Sequence, residues 1–358
     1  MTMEQALLKA QGAQALTAQT QLVQSTCAYC GVGCGVDIKV KQGSATALTG
    51  TREHPANFGR LCVKGTHLLD TVDLTNRLLV PVVNDVPVSW EVAINTVANK
   101  FNEFIEAHGK ESVAFYVSGQ LLTEDYYVAN KLMKGYIGTA NIDTNSRLCM
   151  SSAVSAYKRA FGEDVVPCSY DDLEQTDLLV LTGSNAAWTH PVLFQRIERA
   201  KQINPNFNVV VIDPRVSATA SSADMHIALK PGTDAALFNG LLNYLTEHSG
   251  IDHDYINAHT LDFDDCINTA SAWTLDKTAN FCGLTVDALT AFYQLYLTAE
   301  KAVTMYSMGI NQSTSGVDKC QAIINVHLAT GKIGKKGCGP FSITGQPNAM
   351  GGREVGGL

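Results

Sequence analysis

Four cysteines crowd one short stretch, Cys27, Cys30, Cys34 and Cys62, in the spacing C-x2-C-x3-C-x27-C. Three thiolates from one loop and a fourth from a distant turn can enclose a cubane, and close-set thiolates are what iron–sulfur clusters need. Zinc is the competitor, but structural zinc sites usually pair two C-x2-C knuckles and the second pair is missing here. A scatter of buried free cysteines is the plainest alternative. The spacing ranks a 4Fe-4S cluster first, zinc second and the scatter third. Gly31, Gly33 and Gly35 let the backbone fold tightly and offer N–H groups to sulfur. Lys64 follows the fourth cysteine by two residues. A lone lysine is by default a solvated charge; beside an anionic cluster it would compensate charge and hydrogen-bond a second redox group.

A fifth cysteine stands alone in Asn145-Ser146-Arg147-Leu148-Cys149-Met150-Ser151-Ser152-Ala153. The pattern puts Cys149 at the beginning of a helix, where the N-terminal field stabilises a thiolate. In isolation a single cysteine is more often an inert buried residue. Three loops have the character of nucleotide contacts. The apolar strand Leu178–Leu181 runs into Gly183-Ser184-Asn185, with a helix starting near Pro191. A strand–turn–helix of this kind, at the carboxyl end of a parallel strand, is where dinucleotides bind. Ile212-Asp213-Pro214-Arg215 ends the next strand, with Asp213 suited to ribose hydroxyls and Arg215 to a phosphate; an exposed Asp-Pro turn is the bland reading. In Pro231-Gly232-Thr233-Asp234, either Thr233 or Asp234 can simply cap a helix.

Cys27-Ala28-Tyr29-Cys30-Gly31-Val32-Gly33-Cys34-Gly35 followed by Arg60-Leu61-Cys62-Val63-Lys64-Gly65 resembles the amino-terminal 4Fe-4S module of bacterial molybdopterin oxidoreductases. That family includes nitrate reductases and formate dehydrogenases. The resemblance implies a 4Fe-4S cluster and one molybdenum held by two molybdopterin guanine dinucleotides. It makes Cys149 the protein ligand to molybdenum, places a pterin near Lys64, and gives Asp234 the guanine edge. Gly183-Ser184-Asn185, Asp213, Arg215 and Asp234 then belong to one dinucleotide site. Met308, Gly309, Gln312 and Gln346 fall in loops similar to the pterin-facing loops of nitrate reductases. Arg353 is assigned to nitrate, because a fixed guanidinium recognises a planar oxyanion; its alternative is a surface arginine.

Formate dehydrogenases generally carry His after the metal-binding residue; here it is Met150, which cannot act as a base. The run Arg147–Val154 is similar to assimilatory and periplasmic nitrate reductases. The reading is molybdenum-dependent reduction of nitrate to nitrite. Electrons would come from ferredoxin, flavodoxin or a NADH-using reductase subunit. A formate dehydrogenase-like enzyme and a non-catalytic iron–sulfur electron-transfer subunit are the alternatives.

The elements that must position these residues follow from periodicity. Ser89 can cap a helix whose Trp90, Ala93, Ile94, Val97, Phe101, Phe104 and Ile105 share a face, with Gly109 ending it. A strand at Val113–Val117 and a helix from Thr123 to about Ile137 come next. Helices are predicted after Cys149 and at Pro191–Ile203, Ala235–Glu247, Val286–Thr298 and Val317–Ala329, with strands at Leu178–Leu181, Val209–Ile212 and Ala302–Tyr306. Strands alternating with helices indicate an α/β fold with parallel sheets. The expected organisation is an arm over 1–24, the 4Fe-4S module over 25–66, part of a split domain over 67–144, a dinucleotide-binding domain over 145–340, and the split domain's resumption over 341–358, where the chain reads as cut off.

With 358 residues the chain exceeds one ordinary domain, and its 46% hydrophobic content excludes wholesale disorder. The charged fraction is only 17%, which suits a surface partly covered by a cofactor, domain or partner. The net charge of −8 excludes phosphate-backbone binding as the main activity. No apolar run approaches the roughly 18 residues of a membrane span. The first 20 residues lack a continuous apolar segment and a twin-arginine pair, so a cytoplasmic location is expected, where clustered cysteines mean metal or catalysis. His54, His67, His190 and His226 have no paired spacing and receive no ligand role.

Overall fold

The computed structural model describes residues 20–356. The chain forms two compact units, one reaching Asn95 and one beginning at Thr96. The first is built on an antiparallel meander of β1 (Gln21–Thr26), β2 (Gly35–Lys41) and β3 (Ser44–Gly50). Gln42 and Gly43 both have positive φ, the backbone that a two-residue hairpin loop between right-twisted strands requires. Asn84 and Asp85 do the same between β4 (Val82–Val83) and β5 (Val86–Pro87). The expected arm over 1–24 does not extend through residue 24, because Gln21–Gln24 pair with β2; residues 1–19 lie outside the described residues.

The helix Trp90–His108 has the expected bounds: the Ser89 hydroxyl accepts from the Val92 amide, and Gly109 ends it at φ 82°. Its apolar face is only partly used. Phe101 and Ile105 pack on Val113, Met133 and Ile142, whereas Trp90, Ile94, Val97 and Phe104 are half or more exposed.

In the second unit β6 (Phe115–Val117) pairs in parallel with β7 (Ile142–Thr144). The connecting helix Thr123–Asn130 passes into a π-helical turn, Lys131–Ile137, that Gly138 stops. The main sheet is parallel throughout: β8 (Leu178–Thr182), β9 (Asn208–Ile212), β10 (Met225–Ile227), β11 (Ala302–Tyr306) and β12 (Gly339–Ser342), in the order β10-β9-β8-β11-β12. β8 and β11 are buried at every residue, as central strands covered on both faces must be. Helices Asp234–Glu247, Val286–Thr298 and Gly316–Ala329 supply most of the core, with Leu237, Leu241, Phe292, Tyr293, Tyr296 and Ile323 fully buried. Each such side chain contributes roughly 1.5–3 kcal/mol on burial. Strand order reverses between β8 and β11, which opens a crevice at the carboxyl ends of these two strands.

Candidate active site

In the first unit the cysteine loop is closed by the Cys27 amide donating to the Cys34 carbonyl at 2.8 Å, with Gly33 at positive φ inside it. The second half of the site is tied to this loop by Asn57, a residue that spacing did not point to. Its fully buried amide accepts from the Gly35 N–H (2.9 Å) and donates to the carbonyls of Gly35 (3.1 Å) and Arg60 (2.9 Å), two residues before Cys62. His54 packs its ring where a Cβ on Gly35 would stand, 2.4 Å away, so only glycine fits there.

Cys27 and Cys34 are buried, and Cys30 and Cys62 half-buried. Burial, then the neighbouring thiols Cys30, Cys27 and Cys62, push the Cys34 thiol up to about 12. Cys30 rises for the same leading reason, with Cys62 and Cys27 adding to it and Lys64 opposing. Four sulfurs that repel one another as anions are a donor set that needs a cationic core, and the residues present fit an iron–sulfur cluster. Among the described residues no three His, Cys, Asp or Glu gather closely enough to hold a single metal ion. Lys64 is exposed, its ammonium 6.0 Å from the centroid of the Tyr29 ring.

In the second unit Cys149 ends a one-turn helix, Ser146–Cys149, rather than beginning one. Met150 interrupts with φ −137°, and the long helix, Ser151–Phe161, starts after it. The expected thiolate at the very start of a helix is therefore displaced by two residues, because Met150 caps both segments. The Cys149 sulfur lies 3.2 Å from the Met308 sulfur and 3.5 Å from the Thr344 hydroxyl, beyond the carboxyl ends of β11 and β12. The Gln312 amide donates to the Leu148 carbonyl at 3.3 Å, and Gln346 accepts from the Ser146 hydroxyl at 3.0 Å. Both amides thus grip the turn that carries Cys149.

Sequence reasoning missed three further supports. Asn311 accepts from the Ala153 N–H (3.1 Å) at the start of the long helix while donating to the Ser307 carbonyl (3.2 Å). His190 bonds the Thr344 carbonyl through Nε2 at 2.7 Å and so fixes the loop that touches Cys149. Asp164 pairs with Arg353, 2.6 Å from its Nε. Buried amides and histidines outside a periodic pattern leave no sequence signal of this kind.

Arg353 belongs to the helix Ala349–Glu354 and sets Nη1 3.4 Å from the sulfur of buried Met150. Its Nε and Nη2 have no well-aligned hydrogen bond, so the contact with Asp164 is electrostatic rather than a closed fork. Arg353 and Asp164 line a cleft of about 490 Å3 with Ser146, Arg147, Ser151 and Lys158. Glu163 and Glu354 line it too, so three cations face three carboxylates, and the guanidinium of Arg353 is the group there that could pair with a planar oxyanion.

A second pocket, of about 340 Å3, gathers Gly183, Asn185, Asp213, Gly232, Asp234 and Gly309. Gly183 and Gly309 touch backbone to backbone: the Gly309 amide donates to the Gly183 carbonyl at 2.9 Å, and a Cβ on Gly309 would stand 2.5 Å from the Gly183 Cα. Ser184 is buried with its hydroxyl unpaired, as is the Thr182 hydroxyl. Neither hydroxyl is part of the pocket wall; the wall's glycines leave room for close backbone approach by a polar ligand. Asp213 accepts from the Arg215 N–H at 3.0 Å, the turn of the bland reading, and still faces the pocket. Arg215 is exposed and is not part of that wall.

Residues 77–358 match the family described as Molybdopterin oxidoreductase, and residues 20–74 match the Molybdopterin oxidoreductase Fe4S4 domain. The chain belongs to the molybdopterin oxidoreductase family. Similar proteins include a nitrate reductase of Klebsiella oxytoca, 58% identical over 94% of this chain and 38% of that protein. A nitrate reductase of Shewanella frigidimarina is 55% identical over 94% and 37%. The periplasmic nitrate reductase of Desulfovibrio desulfuricans is 39% identical over 94% and 46%. This molybdopterin oxidoreductase chain thus spans less than half the length of these curated relatives. Among solved structures, acetylene hydratase from Pelobacter acetylenicus shares the fold, with a TM-score of 0.77 at 20% identity over 86% of this chain and 43% of that one. No helix among the described residues is long and apolar enough to cross a membrane.

Proposed function

We propose that this chain carries the iron–sulfur and cofactor-binding portion of a molybdenum-dependent nitrate reductase. The observation that carries the reading is the Arg353 guanidinium set against the sulfur of Met150, the residue after Cys149, in a chain 58% identical to a protein named nitrate reductase. When bound, molybdenum with its pterins supplies the oxygen-accepting, two-electron chemistry, and the 4Fe-4S cluster delivers the electrons. Cys27, Cys30, Cys34 and Cys62 would hold the cluster, and Cys149 the molybdenum. Lys64 compensates charge near the cluster. Arg353 orients a planar oxyanion by its guanidinium, and Met150 walls the pocket without offering a base.

The pterins are held in this reading as guanine dinucleotides, one of them by Gly183, Ser184, Asn185, Asp213 and Asp234, with Met308, Gly309, Gln312 and Gln346 toward the pterin. We assign the activity to cytoplasmic nitrate assimilation, with ferredoxin, flavodoxin or a NADH-using subunit as donor. The support for that setting is the residue run Arg147–Val154 and the absence of a continuous apolar segment or twin-arginine pair in the first 20 residues.

Dye-coupled assays test the reading. The enzyme carrying this chain should oxidise reduced viologen with nitrate and should not reduce the dye with formate. The opposite pattern would overturn it. Molybdenum and guanosine monophosphate analysis separates it from an electron-transfer subunit, which should contain neither.

A further inference from the structure

We propose that Lys319 sets the base selectivity of the dinucleotide pocket by holding Asp234 as an accept-only carboxylate on its wall. The proposal rests on the nucleotide reading above and adds a residue to it. Asp234 opens the helix Asp234–Glu247 and lines the pocket with Gly183, Asn185, Asp213 and Gly309. Lys319 comes from the helix Gly316–Ala329, which packs directly on the first. Its ammonium lies 2.8 Å from Asp234 Oδ2, and the two side chains are only 3% and 10% exposed.

A buried ion pair is a poor way merely to join two helices, since apolar residues of similar volume do that as well or better. At a pocket wall the pair has a chemical use. An ionised carboxylate only accepts hydrogen bonds, whereas the neutral acid offers one donor beside one acceptor. Guanine presents two adjacent N–H donors on its pairing edge. Cytosine and adenine each present an amino donor beside a ring-nitrogen acceptor. The carboxylate therefore matches guanine, and the neutral acid matches the other two. An ammonium offers donors only, so at 2.8 Å it suits the accept-only carboxylate and has no acceptor for an acid proton. Lys319 takes one lobe of Oδ2, and a carboxylate's remaining lone pairs are enough for two N–H donors.

Calorimetric titration of GDP and of CDP into the 358-residue chain tests this. The parent chain should prefer GDP by about tenfold or more, the discrimination typical of one two-point contact to a base. K319M should lower the GDP-to-CDP ratio about tenfold, and K319R should keep it. The ratio is taken on one preparation, so partial unfolding cancels. Where K319M does not fold, K319Q, which keeps an N–H donor without the charge, is read the same way. A ratio within about twofold of the parent in K319M or K319Q makes Lys319 an interhelix tie and overturns the proposal while leaving the nucleotide reading intact. Loss of GDP preference in K319R likewise counts against it. An unchanged ratio in D234N, or no GDP preference in the parent chain, overturns the nucleotide reading itself.

Discussion

Removing the guanidinium of Arg353 tests the proposed oxyanion contact in one side chain. In the cofactor-loaded enzyme R353A should raise the KM for nitrate and lower kcat/KM by roughly 10- to 100-fold, the worth of a charged hydrogen bond. R353K should recover only part, because an ammonium cannot offer the planar fork. An unchanged KM for nitrate would remove Arg353 from the pocket. A second residue-scale prediction concerns His327, which is fully buried between the Thr304 hydroxyl (2.8 Å) and the Lys332 carbonyl (2.9 Å). Burial drives its imidazole down from 6.5 to about 3. The unfolded chain binds this proton below about 6.5 and the folded chain does not. Its contribution is thus complete above that pH and declines as pH falls toward 3, by up to roughly 4–5 kcal/mol. Urea midpoints of H327Q should consequently fall less steeply than the parent's across that window; parallel acid limbs would contradict the assignment.

At the scale of elements, the Gly183–Gly309 contact joins the loops after β8 and β11 with no room for a side chain. G309A should cost ~1–3 kcal/mol in urea unfolding, since backbone rather than a flexible side chain must move. N57A should leave the Gly35 N–H unpaired, destabilise the first unit by ~1–3 kcal/mol, and lower iron content and visible absorbance after purification. Wild-type iron loading in N57A would show that the two halves of the loop assemble without it. Helices Pro191–Ile203 and Val286–Thr298 and strand Ala302–Tyr306 could be read from their residues to the exact bounds, because their apolar periods are long and cleanly punctuated. Strands β10 and β12 could not: the first is three residues long, and the second opens on Gly339-Pro340, which reads as a turn and is tolerated only at a sheet edge. The helices His253–His259, Phe263–Ser271 and Leu275–Cys282 are short and polar enough to pass for loops. Cys149 and Arg353 were singled out only through resemblance, since neither lone residue sits in a spacing that demands chemistry.

At the scale of the whole molecule, the two units differ in what can hold them together. The buried apolar set of the first is little more than Cys27, Val32, Cys34, Val36 and Ala56, whereas the second has a core of dozens of side chains. So small a core does not sustain a fold without a staple. Stripping iron with a chelator should therefore expose the first unit to protease while the segment from Thr96 onward stays resistant. Simultaneous loss of both, or resistance of both, would contradict that division.

The strand order β10-β9-β8-β11-β12 also governs timing during synthesis. The four thiols of the cluster are all available once the ribosome has passed Cys62, so iron can be taken up by a nascent chain. The contacts of Cys149 with Met308 and Thr344 cannot form until those residues have emerged, 159 and 195 residues after the cysteine. If Cys149 holds molybdenum as proposed, ribosome-stalled chains ending between Cys149 and Gly309 should carry iron and never molybdenum.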